Sequence, residues 1–245
     1  MNKAMDTCMY NLKKSMVITA KELKSYIASP ILYILLTAFL LYTGIFYFWD
    51  FYATGRADMR FFFTLLPFVF TFFIPAITMK QFAEERNTGT LEMIITMPVT
   101  TGDIVFGKFL ASLAVVCIML VPTLFYVVSL GTAASPDFGM IVGGYVGSVL
   151  LAALYVSVGI FASSLTHNQI IAWLLAFAIC IFFTTVDFVV QFVPGKIFSI
   201  LSYLSASVHF KNIAKGVLDF RDITFLVTVT VLFLILSAQS IDERR

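Results

Sequence analysis

The sequence contains few charged residues. Asp, Glu, Lys and Arg make up 12% of its 245 residues, whereas hydrophobic residues make up 60%, and a typical soluble domain is nearer half apolar with about a quarter charged. A chain of this length cannot bury so much apolar surface in one soluble core, so the composition indicates a membrane protein. The net charge is only +2, and the basic residues lie in flanks and loops rather than in one dense patch. This gives no basis for a nucleic-acid partner.

Residues that bind metals or attack substrates are also scarce. Cys8, Cys117 and Cys180 lie in the N-terminal arm and in two separate apolar runs, where packing is their expected role rather than a metal site or a disulfide framework. His167 and His209 fall on opposite sides of the membrane in the arrangement below, and they are expected in loops. With neither G-x-S-x-G nor H-E-x-x-H present, an intramembrane hydrolase is not expected, nor is a cofactor or metal held by this chain.

A near match to a phosphate-binding loop lies between Gly102 and Phe109. The stretch reads GDIVFGKF, but Phe109 stands where a P-loop needs a hydroxyl for magnesium, and no strand precedes it. The chain itself is therefore not expected to hydrolyse ATP.

The sequence has six apolar runs that are long enough, or nearly so, to cross about 30 Å of hydrocarbon. They predict an all-α, polytopic membrane protein with six transmembrane helices in a single domain. The predicted spans are Ile31–Trp49, Phe61–Met79, Ile104–Leu130, Gly139–Ser163, Gln169–Val190 and Ile223–Ala238. Before them, residues 11–29 alternate lysines with apolar residues, which predicts an interfacial elbow helix lying among the lipid headgroups.

Several predicted spans contain residues that are unusual in a transmembrane helix: prolines, a row of small residues and a carboxylate. Pro67 and Pro75 predict a kink in the second span, either a mobile joint or a tolerated bend, and Pro122 interrupts the third. Gly144 is the first of several small residues on one face of the fourth span. Such a face lets another helix approach closely, either within one subunit or, alternatively, in a second subunit. Asp187, near the end of the fifth, is either a functional carboxylate or an interfacial one.

A polar region at residues 80–103 separates two apolar runs. Asn87 and Gly89 predict the end of one helix, and Thr90 can cap a short helix that ends at Pro98. Thr100 and Asp103 have the spacing of a capping box at the start of the next span. Alone, this pattern fits either a plain solvated loop or a rigid helix that receives force from a soluble partner.

The residues of this region resemble the E-R-x-x-G-T-x-E…P…G-K stretch of ABC transporter permeases of the type-2 exporter family. The matching residues are Glu84, Glu85, Arg86, Gly89, Thr90, Leu91, Glu92, Pro98, Gly107 and Lys108. The opening KELKSY…SP, from Lys21 to Pro30, is similar to the entry of the same permeases. The resemblance implies a coupling helix on a cytoplasmic ATPase subunit that binds ATP and Mg, and a second permease, identical or not.

Near the end of the chain, residues 193–222 are too polar to span and too apolar for a free loop. We expect two short re-entrant helices here, broken near residues 205–207, with His209, Lys211 and Arg221 as candidates for docking an outer partner; the alternative is a lid that only shields the bundle. The stretch HF…N…GV…D…RD resembles the branch that contains the gliding-motility permease and the permease for nitrous-oxide-reductase maturation.

The basic residues next to the spans predict the orientation. The larger group is Lys3, Lys13, Lys14, Lys21, Lys24, Lys80, Arg86, Lys108, Arg244 and Arg245, against Arg56, Arg60, Lys196, Lys211, Lys215 and Arg221 on the other side. Both termini are therefore expected in the cytoplasm, with the protein in the inner membrane. The expected function is the permease half of an ABC transporter, driving export or mechanical work; the alternative is a non-transporting scaffold of a multi-protein complex.

Overall fold

The structure, a computed structural model, describes residues 2–54, 58–90, 100–133, 137–190, 203–216 and 219–243. Within these ranges all regular secondary structure is helical. The helices are α1 (Asn2–Ala28), α2 (Pro30–Thr54), α3 (Arg60–Thr78), α4 (Lys80–Asn87), α5 (Thr101–Leu120), a 3-10 turn (Val121–Thr123), α6 (Leu124–Ala133), α7 (Phe138–Leu165), α8 (Gln169–Val190), α9 (Ala206–Ala214) and α10 (Phe220–Asp242).

Six helical segments are long and apolar enough to cross a membrane, which confirms the predicted all-α polytopic fold. They are Pro30–Tyr52, Arg60–Asn87, Thr101–Gly131, Phe138–Leu165, Gln169–Val186 and Phe220–Asp242. The third contains the 3-10 turn around Pro122, at the predicted interruption. The helix α1 extends beyond the 11–29 range expected for the elbow, since it begins at Asn2.

Helix α7 lies at the centre of the bundle, where it contacts α3, α4, α5, α8, α9 and α10. Its small residues permit this close packing. A Cβ atom placed on Gly144 would lie 2.3 Å from the ring of Phe63 in α3, so the small-residue face packs against helices of the same chain. By contrast, α2 and α10 lie at the surface of the bundle. Only 22% of the most apolar stretch of α2 and 17% of that of α10 are buried, against 72% for α7.

A hydroxyl cluster joins three helices within the bundle. The Thr184 hydroxyl of α8 lies 2.9 Å from that of Thr71 in α3 and 2.5 Å from the phenol oxygen of Tyr155 in α7. All three side chains are buried. Such short polar side chains satisfy one another in an apolar interior and fix the helices relative to each other.

The bundle has a polar region at each end. We call them the α4 end, which contains helix α4, and the α9 end, which contains helix α9 and the starts of α3 and α7. At the α4 end, the hydroxyl of Thr101 in α5 donates to the carboxylate of Asp242, and Ser240 lies beside the end of α7 at Ser164. Helix α1 packs against α5 at this end. The C-terminal end of α10 and the N-terminal helix α1 therefore lie at the same end of the bundle.

Candidate functional site

A fully buried lysine lies at the centre of the α4 end. Lys108, in the second turn of α5, is 1% exposed. Its Nζ atom donates to Glu85 Oε1 at 2.7 Å, to the carbonyl oxygen of Gln81 at 2.9 Å and to Glu22 Oε1 at 3.3 Å. A buried ammonium is costly unless it is paired and hydrogen-bonded, and here partners from α1 and α4 satisfy it together.

The hydrogen bonds continue from Gln81 into α1 and α5. Its Nε2 atom donates to the Tyr26 hydroxyl at 2.7 Å and to Ser112 Oγ at 2.8 Å. The Tyr26 hydroxyl donates to the carbonyl oxygen of Ile77 at 2.8 Å, and burial raises the pKa of this hydroxyl, which keeps it neutral and able to donate. We call this set the junction network: Glu22, Tyr26, Gln81, Glu85, Lys108 and Ser112.

The start of α5 places Lys108 in this network. The predicted capping box is confirmed: the backbone N–H of Asp103 donates to Thr100 Oγ1 at 3.2 Å, and that of Thr100 donates to Asp103 Oδ2 at 3.3 Å. Next to Lys108, a Cβ atom on Gly107 would lie 2.8 Å from Ile18. The cap fixes where α5 begins, and the absent side chain at Gly107 lets α1 approach closely enough for Glu22 to reach Lys108.

Ser163 of α7 anchors the break between α3 and α4. Helix α3 continues through Pro67 and Pro75 and ends at Thr78, and α4 begins at Lys80. Ser163 Oγ accepts from the backbone N–H groups of Phe82 and Ala83 at 3.0 and 3.1 Å and donates to the carbonyl oxygen of Met79 at 2.9 Å. Since backbone groups at a helix break need partners, this one serine holds α4 against the central helix.

The residues predicted to couple to a partner lie on α4 and just beyond it. Glu84 and Gly89 are exposed, Glu85 is largely buried in the junction network, and Arg86 is half-buried. Gly89 has φ of 71°, which confirms the predicted left-handed residue after the helix. The hydroxyl of Thr90 donates to the carbonyl oxygen of Glu85 at 3.3 Å.

The predicted short helix from Thr90 to Thr96 cannot be compared with the structure over most of its length. Leu91 and Glu92, which complete the predicted set, lie outside the described residues. The structure thus brings Glu85 into the network, leaves Glu84 and Gly89 on the surface, and gives no position for the last two.

A cavity of about 440 Å³ lies between α1 and α4, beside the junction network. Side chains of both signs line it. They include Lys21, Glu22, Lys80, Glu84, Glu85 and Lys108. The cavity therefore presents charges of both signs rather than a purely anionic or cationic lining.

The α9 end contains a buried contact between a histidine and a carboxylate. His209 is 5% exposed within α9, so the prediction that it is a loop residue is wrong. Its Nδ1 atom lies 2.6 Å from Asp222 Oδ1 and its Nε2 atom 3.0 Å from the carbonyl oxygen of Tyr203. Both ring nitrogens therefore have a hydrogen-bonding partner within the protein. The ring also stacks on Phe225 at 4.2 Å.

The other two docking candidates have different environments. The Arg221 side chain is exposed and lies 5.9 Å from the ring centre of Tyr203, while Lys211 is half-buried in α9. The predicted break near residues 205–207 coincides with Ser205, which caps α9 through the backbone N–H of Val208 at 3.4 Å. Residues 193–202, the first part of the expected re-entrant segment, lie outside the described part of the chain.

The stretch that nearly matches a P-loop forms the first turns of α5. Gly102 to Phe109 is continuous helix, so the backbone N–H groups beyond the first turn are engaged within the helix and cannot surround a phosphate. Lys108, which would have to reach a phosphate, is buried in the junction network instead.

Sequence reasoning missed Tyr26, Gln81, Ser112 and Ser163, and it assigned no partner to Lys108. One signal was present: Lys108 is a charged residue inside an apolar run, and such a residue normally has a partner within the protein. The partners themselves could not be identified, because Glu22 is 86 positions away.

The sequence profile of the ABC-2 family transporter proteins matches residues 16–241. The match covers the junction network and the described residues of the α9 end. No curated protein matches the chain. The profile describes a family and does not separate its branches, so the gliding-motility and nitrous-oxide-reductase branch stays a prediction.

Proposed function

Because the chain belongs to the ABC-2 family of transporter proteins, we propose that it is a membrane permease that couples ATP hydrolysis by a separate cytoplasmic ATPase subunit to work across the membrane. ATP and Mg would bind to the ATPase and not to this chain. The α4 end would face the cytoplasm, with both termini on that side of the inner membrane, as the distribution of basic residues favours.

The observation that carries this proposal is the junction network. Through it, α4 is held to α1 and α5, and Ser163 holds it to α7. Separating these helices would strand buried polar groups, at a cost of about 1–3 kcal/mol for each neutral group and more for a charged one. A push on α4 would therefore move α1, α5 and α7 together rather than bend α4 alone.

The exposed tip of α4 supplies a place for the ATPase to push. Glu84, Thr88 and Gly89 are exposed there, next to the mixed-charge cavity and directly before residues 91–99. Because α4 leads straight back into α3, force on this tip would tilt the second span, and the network would pass the tilt to the third. The expected result is altered access to a path along the permease.

We further propose that two permeases act together. The outer faces of α2 and α10 carry exposed apolar side chains, among them Leu41 and Ile45 on α2 and Val231 and Ile235 on α10, and such faces are covered by lipid or by another membrane helix. A second permease, identical or related, would complete the path. The favoured work is export of a lipid or hydrophobic peptide, or mechanical work on an outer partner.

Cysteine crosslinking to the ATPase tests this assignment. A Thr88→Cys variant, at the tip of α4, should crosslink to a copurified ATPase through a short bifunctional reagent. A Phe220→Cys variant, equally accessible but at the α9 end, should not, because the bundle separates the two ends. Crosslinking from position 220 but not from position 88 would show that the α9 end, and not the α4 end, faces the cytoplasm. ATPase capture without any change in its turnover would favour the scaffold alternative.

A further inference from the structure

A second cavity, of about 410 Å³, lies at the α9 end between α3, α7 and α9. Its lining divides into two chemical parts. Phe63 and Phe210 contribute buried apolar rings, 2% and 0% exposed. Arg60, Lys211 and Lys215 contribute three basic side chains to the same lining.

Asp137, the one carboxylate among the described lining residues, offsets only part of this positive charge. Asp137 Oδ1 accepts from the backbone N–H groups of Gly139 at 3.0 Å and Met140 at 3.4 Å, so Asp137 caps the start of α7. Arg60 forms an ion pair with Asp58 at 3.1 Å, but the Arg60 side chain is 76% exposed, and such surface pairs are weak. The lining therefore keeps a positive character.

The fold brings these basic residues together at the place where two spans begin. Helices α3 and α7 both start at this end of the bundle, so the positive ends of their dipoles face the same side. Gly216, with φ of 84°, turns the chain directly after α9. A Cβ there would lie 3.2 Å from Gly139, so only glycine lets the turn that follows Lys215 lie this close to the start of α7.

The combination of an apolar floor with a basic rim suits a molecule that is apolar at one end and anionic at the other. At the start of a span, the cavity lies near the depth of the lipid headgroups, where basic side chains meet phosphates while their alkyl stems cover apolar surface. We propose that this cavity binds the phosphate headgroup of an anionic membrane phospholipid, with Arg60, Lys211 and Lys215 around the phosphate and Phe63 and Phe210 beneath it.

Native mass spectrometry of the detergent-solubilised permease, without the ATPase, tests this site independently of the proposed coupling. The probes are phosphatidylglycerol, phosphatidylcholine with the same acyl chains, and glycerol phosphate. The first lipid to bind should be phosphatidylglycerol, preferred over phosphatidylcholine by about tenfold. Glycerol phosphate at the same concentration should not displace it, because it lacks the apolar part.

Two variants locate the binding. Lys215→Glu should abolish the preference, whereas Lys24→Glu, the same charge change on an exposed residue of α1, should leave it intact. Thr64 of α3 also lines the cavity. Thr64→Trp would fill the cavity without changing its charge, so it should also lower phosphatidylglycerol binding, and it keeps the test valid if the charge variant misfolds. Equal binding of the two lipids, an unchanged preference in both Lys215→Glu and Thr64→Trp, or displacement by glycerol phosphate would overturn the proposal.

Discussion

Each end of the bundle contains a buried contact between a basic and an acidic side chain, but the two contacts join different parts of the chain. At the α4 end, Lys108 pairs with Glu85 and Glu22, which are 23 and 86 positions away. At the α9 end, His209 pairs with Asp222, only 13 positions away. The contacts of Lys108 hold three separate helices together, whereas the contact of His209 joins the neighbouring helices α9 and α10.

This difference predicts different consequences for the same kind of damage. Loss of a contact between distant elements weakens the restraint between whole helices, since the chain that connects them is long. Loss of a local contact loosens one segment and leaves the bundle in place. The α4 end therefore fits transmission between helices, whereas the α9 end fits a locally ordered segment beside the second cavity.

The largest effect should come from removal of the buried cation. Lys108→Met keeps the length of the side chain but leaves Glu85 and Glu22 without it, which should destabilise the protein by about 3–5 kcal/mol. Thermal unfolding in detergent measures this as a fall in melting temperature. Lys24→Met, on the exposed face of α1, should change it little.

A second substitution tests whether the lost stability of Lys108→Met arises from charge. Adding Glu85→Gln should restore part of the melting temperature, because one of the two uncompensated carboxylates is removed. A double variant that is less stable than Lys108→Met would show instead that packing around the lysine stem, and not ion pairing, holds the α4 end.

Next in size is the contact between α1 and α5 at Gly107. Gly107→Val would place atoms within 2.8 Å of Ile18, and such overpacking costs about 1–3 kcal/mol. Hydrogen exchange should show faster exchange in α1. Gly102→Val in the same helix is the matched control, because its Cβ meets nothing closer than 3.9 Å.

At the α9 end, Asp222→Asn should act locally. The amide keeps the size of the side chain but replaces the carboxylate that contacts His209 Nδ1, and loss of a buried hydrogen bond of this kind costs about 1–3 kcal/mol. Hydrogen exchange in residues 203–216 should become faster while the melting temperature of the bundle changes little. Asp58→Asn, at the exposed pair with Arg60, is the control. A fall in melting temperature as large as that of Lys108→Met would remove the distinction between the ends.

The smallest effect is expected at the tip of α4. Gly89 has φ of 71° and a Cβ there would meet no atom within 4 Å, so Gly89→Ala tests backbone strain alone, at about 1 kcal/mol. Gly89→Asn should be closer to wild type, because Asn tolerates the left-handed region. Equal melting temperatures for all three proteins would mean that the turn relaxes without cost.

Local patterns in the sequence predicted the spans and several of their boundaries. Six apolar runs identified the spans, the spacing of Thr100 and Asp103 located the start of α5, and Gly89 marked the residue after α4. Each of these features depends on residues close together in the chain, where propensity and capping act directly.

The candidate site was less predictable because its contacts depend on the packing of whole helices. In the sequence, Gln81 is one of several polar residues between two spans, and only the packing of α1 and α5 gives it buried partners. Ser163 is a small residue at the end of a span, and the sequence does not indicate its contacts with α4. His209 was expected in a loop, although the break expected near residues 205–207 already allowed a short helix after it, and the structure places His209 in that helix, stacked on Phe225. The docking of an ATPase depends on a second protein, which a single sequence describes only through its resemblance to a family.

The measurement that tests the central claim most directly is ATP turnover by the permease–ATPase complex in lipid nanodiscs, with Glu85→Gln compared with Asp222→Asn. If the junction network transmits force, Glu85→Gln should lower permease-dependent turnover by about tenfold, within the range typical of coupling between sites, while the ATPase still copurifies and Asp222→Asn stays near the wild-type rate. Wild-type turnover in the Glu85→Gln complex, or an equal loss in both variants, would contradict the account.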